Sequence, residues 1–374
     1  MNLSRGVDVF VVGGGPAGLA AAIAASTRGL KVAVADGGEP PLDKTCGEGL
    51  MPETVAALQL LGVKLSPLEG YPFHGIRFFQ RDASVAAHFR KGVGLGLRRT
   101  ALHERLVAKA EQAGVALLWK SAVSGVTQSG VHAGGRTIRS RFIIGADGPG
   151  SRVRKWSGLA EGSRLQQRFA TRHHFRVKPW SDCVEIYWGP EGQAYVTPTA
   201  SEEVGVVVMA GAEPRPKRPG FSETLAQWPD LRERLASAAP TSRERGAPSS
   251  MRWLPRVQSG SVALIGDASG SVDAITGEGL RLAFLQSLAL ADALEAGKLS
   301  LYERRHRALL RRPWMMARLM LWLAKHHAVR SRMLRRLAAQ PALFAPLLAF
   351  HAGESTPAEF LSTGVALGWS LLAA

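Results

Sequence analysis

The sequence predicts an α/β fold in three parts, and three observations support this prediction. Residues 8–12 form a predicted buried strand that is followed by a glycine-rich turn, a helix of small residues and a second strand at residues 31–35. This order is typical of a Rossmann-like domain. Residues 169–209 alternate in hydrophobicity or run in β-branched residues between Gly and Pro turns, which indicates an inserted antiparallel sheet. Residues 299–374 are predicted to be helical and are rich in basic side chains.

The order of these elements predicts two interleaved domains and a tail. Buried strands at residues 141–145 and 262–265 return the chain to the first domain, which we therefore predict to be discontinuous. The first domain comprises residues 1–70, 95–165 and 255–298, and the inserted domain comprises residues 71–94 and 166–254. Residues 299–374 form the basic helical C-terminal region.

The composition excludes several classes of protein. With 46% hydrophobic and 21% charged residues, the chain is not a disordered polymer. Two cysteines, Cys46 and Cys183, exclude a disulfide framework and a cysteine-rich zinc or iron–sulfur site. The histidines lack a metal-ligand spacing, so we expect no metal. No apolar run reaches the roughly 18–20 residues that span a bilayer, and the lack of a secretory signal predicts a cytoplasmic protein.

Basic residues are concentrated in the C-terminal region of a chain whose net charge is +17. Five of them follow one another at a spacing of seven: Arg304, Arg311, Arg318, Lys325 and Arg332. On one helix this spacing makes a slowly drifting stripe. The stripe predicts a solvated helix face or a face that docks on an anionic membrane surface, at the inner side of the membrane, or on an acidic carrier. No aromatic stacking platform accompanies the charge, which argues against nucleic acid.

The glycine-rich turn carries the first chemical signal. Gly13, Gly15 and Gly18 have the spacing that lets a backbone approach a pyrophosphate, and Pro16 and Ala17 open the helix whose N–H groups face it. Asp36 ends the second strand, where its carboxylate can accept a hydrogen bond from a ribose 2′-hydroxyl. An acidic residue at this position predicts an unphosphorylated adenosine ribose, as in FAD or NAD.

Two later segments add a family resemblance. The sequence GADG at residues 145–148 follows a buried strand, and LIGDASG at residues 264–270 precedes ITGEG at residues 275–279. Together with the glycine-rich turn, these segments resemble, in the right order, the flavin motifs of p-hydroxybenzoate-hydroxylase-like FAD enzymes. The chain is most similar to the branch that holds geranylgeranyl reductases, related monooxygenases and flavin-dependent halogenases.

The resemblance implies FAD as the cofactor. NAD(P)H is implied as a transient reductant, because no second glycine-rich strand–helix turn occurs. Asp267 would bind the ribityl chain, the helix starting at Gly279 would face the flavin pyrimidine, and Arg99 or its neighbour Arg98 would lie alongside the cofactor. The implied cofactor-binding residues are Gly13, Gly15, Pro16, Ala17, Gly18, Asp36, Cys46, Gly47, Arg99, Val123, Asp147, Gly148, Asp267, Gly277, Glu278 and Gly279.

The segment KTCGEGLMP at residues 44–52 resembles the loop that covers the flavin ring in this branch. It makes Cys46 and Glu48 candidate catalytic residues. The segment GQAYVTP at residues 192–198 resembles a substrate-domain strand of the reductases, although it lacks their Trp, and implies that Tyr195 and Thr197 bind substrate. The Trp motif of the halogenases is absent, and Ala274 replaces the Pro that usually precedes the second flavin turn.

These observations together predict an FAD-dependent oxidoreductase that acts on a hydrophobic small molecule. The leading hypothesis is monooxygenation, in which a flavin hydroperoxide hydroxylates or epoxidises the substrate. The alternative favoured by the Cys46 loop is reduction of a carbon–carbon double bond. Halogenation is a minor alternative, and a non-catalytic membrane-associated flavoprotein is the alternative of a different class.

Overall fold

The computed structural model describes residues 6–81, 83–127, 130–161, 163–211 and 220–372. The described strands are β1 (Val7–Val12), β2 (Val32–Ala35), β3 (Gly49–Leu50), β4 (Tyr71–Phe73), β5 (Gly75–Gln80), β6 (Ala83–His88), β7 (Gly94–Gly96), β8 (Ala116–Leu118), β9 (Val123–Thr127), β10 (Gly130–Ala133), β11 (Arg136–Gly145), β12 (Ser163–Arg176), β13 (Cys183–Trp188), β14 (Gly192–Ala200), β15 (Glu203–Ala210), β16 (Ala239–Pro240), β17 (Arg245–Trp253), β18 (Gln258–Ser259) and β19 (Val262–Leu264). The described α-helices are α1 (Pro16–Ser26), α2 (Pro52–Leu60), α3 (Arg99–Gln112), α4 (Arg152–Trp156), α5 (Phe221–Leu225), α6 (Pro229–Leu235), α7 (Gly279–Glu295), α8 (Leu299–Lys325), α9 (His327–Ala339), α10 (Phe344–Ala352) and α11 (Pro357–Leu372).

The first sheet is the core of the Rossmann-like part. Its strands follow the order β18-β19-β11-β1-β2-β8, and β1 lies parallel to both β11 and β2. The central strands are buried on both faces, which explains their nearly continuous Val, Ile and Ala content. Helix α1 packs between α7 and α3. Its small side chains allow this close packing. Because α1 follows the turn directly after β1, it begins at the carboxyl end of β1.

The second sheet is the inserted part. It runs in the order β16-β12-β15-β14-β13-β5-β6, with β17 also paired to β12. The predicted fold class, with its parallel sheet, separate antiparallel sheet and helical C-terminal region, is confirmed. One pair differs from the expectation, since β5 and β13 are parallel. Strand β12 also begins at Ser163, shortly before the predicted domain boundary at residue 166.

The C-terminal helices connect both sheets. Helix α8 is fixed to the first sheet, because Tyr302 Oη donates to the Leu264 carbonyl and His306 Nε2 lies 2.9 Å from Ser269 Oγ. Helices α9 and α10 pack against β5 and β6 of the second sheet. The helices therefore close the space between the two sheets on one side. No helix in the described ranges is long and apolar enough to cross a membrane.

Two predicted helical features are corrected by the structure. The stripe of basic residues does not run along a single helix, because α8 ends at Lys325 and a new helix begins at His327. His326 has backbone angles outside the helical region (φ −101°, ψ 75°), which break the helical path, so Arg332 belongs to α9. The sequence also predicts one helix over residues 222–236, whereas the structure has α5 and α6 there, because Pro229 begins a separate helix.

Candidate active site

A cavity of about 740 Å³ lies between the two sheets and the C-terminal helices. Much of its polar lining comes from the Rossmann-like part and includes Gly15, Arg99, Gly148 and Asp267. Its apolar lining comes from the second sheet and from α8–α11. This apolar set includes Ile76, Phe78, Trp188, Met316, Leu323, Leu334, Phe344 and Leu367. Several predicted cofactor residues and a large apolar space therefore share one cavity.

The glycine-rich turn is shaped by its three spaced glycines. A Cβ atom on Gly13 would lie 2.5 Å from the Ala146 carbonyl oxygen, and one on Gly18 would lie 1.9 Å from the Gly13 carbonyl oxygen. Gly15 is different, because no described atom lies within 4 Å of its Cβ position and the residue lines the cavity. Gly13 and Gly18 thus fix the turn, whereas Gly15 leaves open space in front of the helix N-terminus.

The Asp36 carboxylate orders the same turn. It accepts hydrogen bonds from the backbone N–H of Gly14 (2.7 Å) and of Gly38 (2.8 Å). Each oxygen keeps further acceptor capacity, which is what a ribose hydroxyl would need. Val123, predicted to lie at the adenine, is buried at the start of β9 and does not line the cavity.

The two later flavin motifs place different groups in the cavity. Asp147 accepts from Ser151 Oγ and from the backbone N–H of Arg152 and Val153, so its side chain orders α4 and does not line the cavity. Gly148 does line it.

Asp267 faces the cavity, and in the described part of the chain its carboxylate accepts no hydrogen bond. Desolvation raises the pKa of Asp267, against the opposing charges of Lys44, Arg99 and Arg154. An unpaired carboxylate among three cations fits a cofactor that carries both hydroxyl donors and phosphates.

The two neighbouring arginines have separate environments. Arg98 donates to the Glu203 carboxylate and to Thr241 Oγ1, outside the cavity. Arg99 lines the cavity, is almost fully buried, and has an Nε that finds no partner among the described residues. Burial lowers the pKa of the Arg99 guanidinium. Of the two alternatives left open by the sequence, Arg99 is the one that lines the cavity, and its place beside the cofactor stays a prediction.

The second flavin turn begins α7. Gly277 adopts a left-handed conformation with a φ of 67°, and Gly279 is the first residue of the helix; both line the cavity. Glu278 instead is buried and pairs with Arg281.

His351 of α10 approaches this turn with its Nε2 2.9 Å from the Thr276 carbonyl oxygen. A carbonyl only accepts, so Nε2 carries the proton and Nδ1 is a free acceptor. That Nδ1 is buried without a partner among the described residues, and His351 lines the cavity.

The loop at residues 44–51 lies against the cavity. Cys46 lines it, and burial raises the pKa of the Cys46 thiol, which therefore stays protonated at neutral pH. The neighbouring Gly47 carbonyl accepts from Thr197 Oγ1 at 2.7 Å. Thr197 thus ties the loop to β14, and its predicted role in binding substrate uses a hydroxyl that already has an acceptor.

Glu48 is the anchor of this loop. Its Oε1 accepts from the backbone N–H of Arg99 and from Arg172 Nη1, both at 2.8 Å, and its Oε2 lies 2.5 Å from His174 Nε2. The side chains of Glu48, Arg172 and His174 are at most 2% exposed. Glu48 has a φ of 59°, a strained conformation for a residue with a Cβ. Because both oxygens are engaged, the carboxylate is better suited to positioning the loop than to catalysis.

Tyr195 is one of the polar side chains that the second sheet presents to the cavity. Its Oη donates to Gln193 Oε1 at 3.1 Å, and the same oxygen accepts from Arg168 Nη1. Arg168 in turn forms a buried ion pair with Asp273, next to the second flavin turn. Burial raises the pKa of the Tyr195 hydroxyl. Tyr195 therefore offers an apolar ring and an acceptor oxygen to a ligand.

The sequence analysis missed several of these groups. Arg168, Arg172 and His174 lie at even positions of β12, and the two-residue period of a strand could have placed them on one face. No local signal marks His351. The described residues also include one His/Asp/Cys group, His88, Asp182 and Cys183, which lies outside the cavity lining.

Comparison with known proteins agrees with this geometry. The family model described as "FAD binding domain" matches residues 6–310. The menaquinone reductase of Mycolicibacterium smegmatis is 27% identical over 328 residues, which cover 79% of this chain and 78% of the relative. Digeranylgeranylglycerophospholipid reductase 1 of Methanothermobacter thermautotrophicus is 26% identical over 297 residues, 73% of each chain. Among solved structures, pqsL of Pseudomonas aeruginosa, a probable FAD-dependent monooxygenase, is similar with a TM-score of 0.71 and 21% identity, covering 89% of this chain and 99% of that chain. The resemblance stated from the motifs is thereby confirmed.

Substitutions of two glycines are expected to separate cofactor binding from folding. Gly15→Ala should fold normally and lose most of its flavin, because the added methyl group occupies only the space left for the pyrophosphate. Gly18→Ala should instead be destabilised or insoluble, because its methyl group would overlap a backbone carbonyl. Flavin absorbance per protein and thermal unfolding measure both effects. Full flavin content in a stable Gly15→Ala protein would contradict this assignment.

Replacement of Glu48 by Gln tests its positioning role. The change leaves Arg172 and His174 buried without a carboxylate between them, so the free energy of unfolding should fall by about 3 kcal/mol. Urea denaturation measures this effect. Glu39→Gln, which breaks an exposed pair with Lys120, is the matched control and should cost less than about 1 kcal/mol. Unchanged stability with lost turnover would show instead that Glu48 is catalytic.

Proposed function

We propose that this chain, which belongs to the FAD binding domain family and is an FAD-dependent oxidoreductase, is a monooxygenase of a long hydrophobic small molecule. When bound, reduced FAD supplies either activation of oxygen or a hydride. Gly15, Arg99, Asp267 and Gly279 would hold the cofactor at the cavity, with Gly148 beside them. The other residues that line the cavity then determine whether oxygen activation or hydride transfer is favoured.

The apolar lining supports oxygen transfer because that chemistry requires exclusion of water. Several polar side chains that reach the cavity are already paired. Glu48 is held by Arg172 and His174, and Arg330 donates to Gln80 and to the Gly189 carbonyl. These paired groups are not available to hold water beside a substrate. The cavity volume of about 740 Å³ and the apolar lining that α8–α11 contribute favour a substrate with a long apolar chain.

The observation that carries the proposal is the free Nδ1 of His351. This atom is an acceptor, since the proton of the ring is held at Nε2 by the Thr276 carbonyl. It can therefore take a proton from a phenol or enol in the cavity. Deprotonation makes such a substrate electron-rich, which favours electrophilic oxygen transfer to carbon. Reduction of an isolated double bond would instead require a proton donor in the cavity, which this acceptor atom is not.

A second candidate function is reduction of a carbon–carbon double bond. It is favoured by the protonated thiol of Cys46, which lines the cavity and could deliver a proton to a substrate carbon. The names of two relatives, a menaquinone reductase and a digeranylgeranylglycerophospholipid reductase, also favour it. For either reaction we propose NAD(P)H as a transient reductant, because the sequence has no second dinucleotide turn.

The reductase and the monooxygenase differ in their need for oxygen. The FAD-loaded protein should be reduced by NAD(P)H and incubated with long-chain alkylphenols, quinones and polyprenols, in air and under anaerobic conditions. Monooxygenation predicts products only in air, from a phenol or enol probe. Products with two added hydrogens under anaerobic conditions would contradict the proposal and support the reductase.

His351→Gln should lower the rate of product formation by about 100-fold or more, because the amide keeps the contact to Thr276 and cannot accept the substrate proton. Flavin content should stay normal. Product formation from an alkylphenol probe is measured beside NAD(P)H oxidation. His327→Gln, which changes an exposed histidine of α9, is the control. Equal rates in both variants would show that His351 does not act as a base in the reaction.

Cys46→Ala distinguishes the two candidates further. Monooxygenation does not need the thiol proton, so oxygenated product should fall by less than about tenfold. The flavin absorption band should still shift, because the loop borders the cavity. Loss of turnover without loss of FAD would favour Cys46 as the proton donor of a reductase.

A further inference from the structure

Four large apolar side chains of α8 and α9 are exposed. The exposed fractions are 45% for Met315, 38% for Leu319, 46% for Trp322 and 39% for Val329. The first three lie three to four residues apart on α8, so they share one face. Single exposed apolar residues are common on proteins, but a cluster of this kind indicates an interaction surface.

Cations surround this cluster. Arg311, Arg318, Lys325 and Arg332 are exposed, and no carboxylate of the described residues pairs with them. Arg305 and Arg307, also on α8, differ, since they pair with Asp292 and Glu303. We call the four apolar residues and the four unpaired cations the basic–apolar face. Its charge is uncompensated by the protein itself, so a partner that is both anionic and apolar fits it.

The basic–apolar face coincides with the mouth of the cavity. Leu319, Trp322 and Val329 are exposed and also line the cavity. On α11, Gly364 is also exposed and lines the cavity, and the nearby Leu361 and Val365 are 65% and 59% exposed. An apolar ligand could pass from this surface into the cavity without crossing a polar rim.

We propose that the basic–apolar face docks the protein on an anionic lipid bilayer, from which the hydrophobic substrate enters the cavity. Alternation of cations with Trp and aliphatic side chains suits the boundary between head groups and acyl chains. Each cation near an anionic surface raises the bilayer affinity roughly fivefold, so the four together contribute roughly 600-fold. An acidic protein would satisfy the charges but would leave the exposed apolar side chains without a comparable environment.

This inference deepens the proposed function, because it states where the substrate comes from. It can be tested without turnover, so failure of docking and failure of monooxygenation are distinguishable. The experiment uses the full-length, FAD-loaded protein in sedimentation with phosphatidylcholine vesicles that contain or lack phosphatidylglycerol. We expect binding only to vesicles with phosphatidylglycerol, and a decrease in binding as salt is added.

Three variants make the test specific. In the charge variant, Arg311, Arg318, Lys325 and Arg332 are changed to Gln, and binding should fall by roughly 100-fold or more. In the apolar variant, Leu319→Ser and Trp322→Ser, binding should fall by roughly tenfold or more. The matched control removes four exposed cations elsewhere, through Lys31→Gln, Arg136→Gln, Arg139→Gln and Lys155→Gln, and should bind almost as the unchanged protein does.

Flavin content and thermal unfolding must be normal in each variant, which excludes misfolding as the cause of lost binding. Three outcomes would overturn the proposal. The first is the absence of binding to phosphatidylglycerol vesicles at low salt. The second is an equal loss in the control, which would show that only net charge matters. The third is full binding of the apolar variant, which would point to an acidic macromolecule rather than a bilayer.

Discussion

The buried carboxylate of Glu48 holds the two halves of this protein together at the cavity. It joins the loop at residues 44–51 to the start of α3 through the Arg99 N–H, and to β12 of the second sheet through Arg172 and His174. Arg172 also binds Asp43 at the beginning of the loop. A buried charge with one partner missing is costly, so the cluster is stable only when both sheets are in place.

The contacts of Glu48 determine which groups remain available for chemistry in the cavity. Glu48 and Arg172 are engaged in holding the loop, and the Arg168–Asp273 pair similarly fixes the turn before α7. The groups directed toward the apolar space include the thiol of Cys46, the Tyr195 hydroxyl and the Nδ1 of His351. The protein therefore provides a largely apolar chamber with the free Nδ1 of His351 beside the turn before α7, and a mouth that opens on an apolar, cationic surface.

Features that depend on local geometry could be predicted from the sequence. The turn around Gly13 and Gly18 needs glycine because a Cβ would overlap backbone, and the flavin family followed from this turn and two further motifs. Features that depend on tertiary contacts could not be predicted from the sequence. The choice between Arg98 and Arg99 requires the register of α3, the engagement of Glu48 requires β12, and His351 reaches Thr276 from 75 residues away. The heptad of cations also gave no sign that the helix breaks at His326.

Oxygen transfer to an electron-rich hydrophobic substrate is the activity that we propose for the cavity. A single turnover with isotopically labelled dioxygen distinguishes it from hydride transfer. The FAD-loaded protein is reduced by NAD(P)H without air, mixed with a long-chain alkylphenol, and exposed to the labelled gas, and the product is analysed by mass spectrometry. We expect one labelled oxygen atom in the product. A hydrogenated product, or an oxygen atom that comes from water, would rule out monooxygenation.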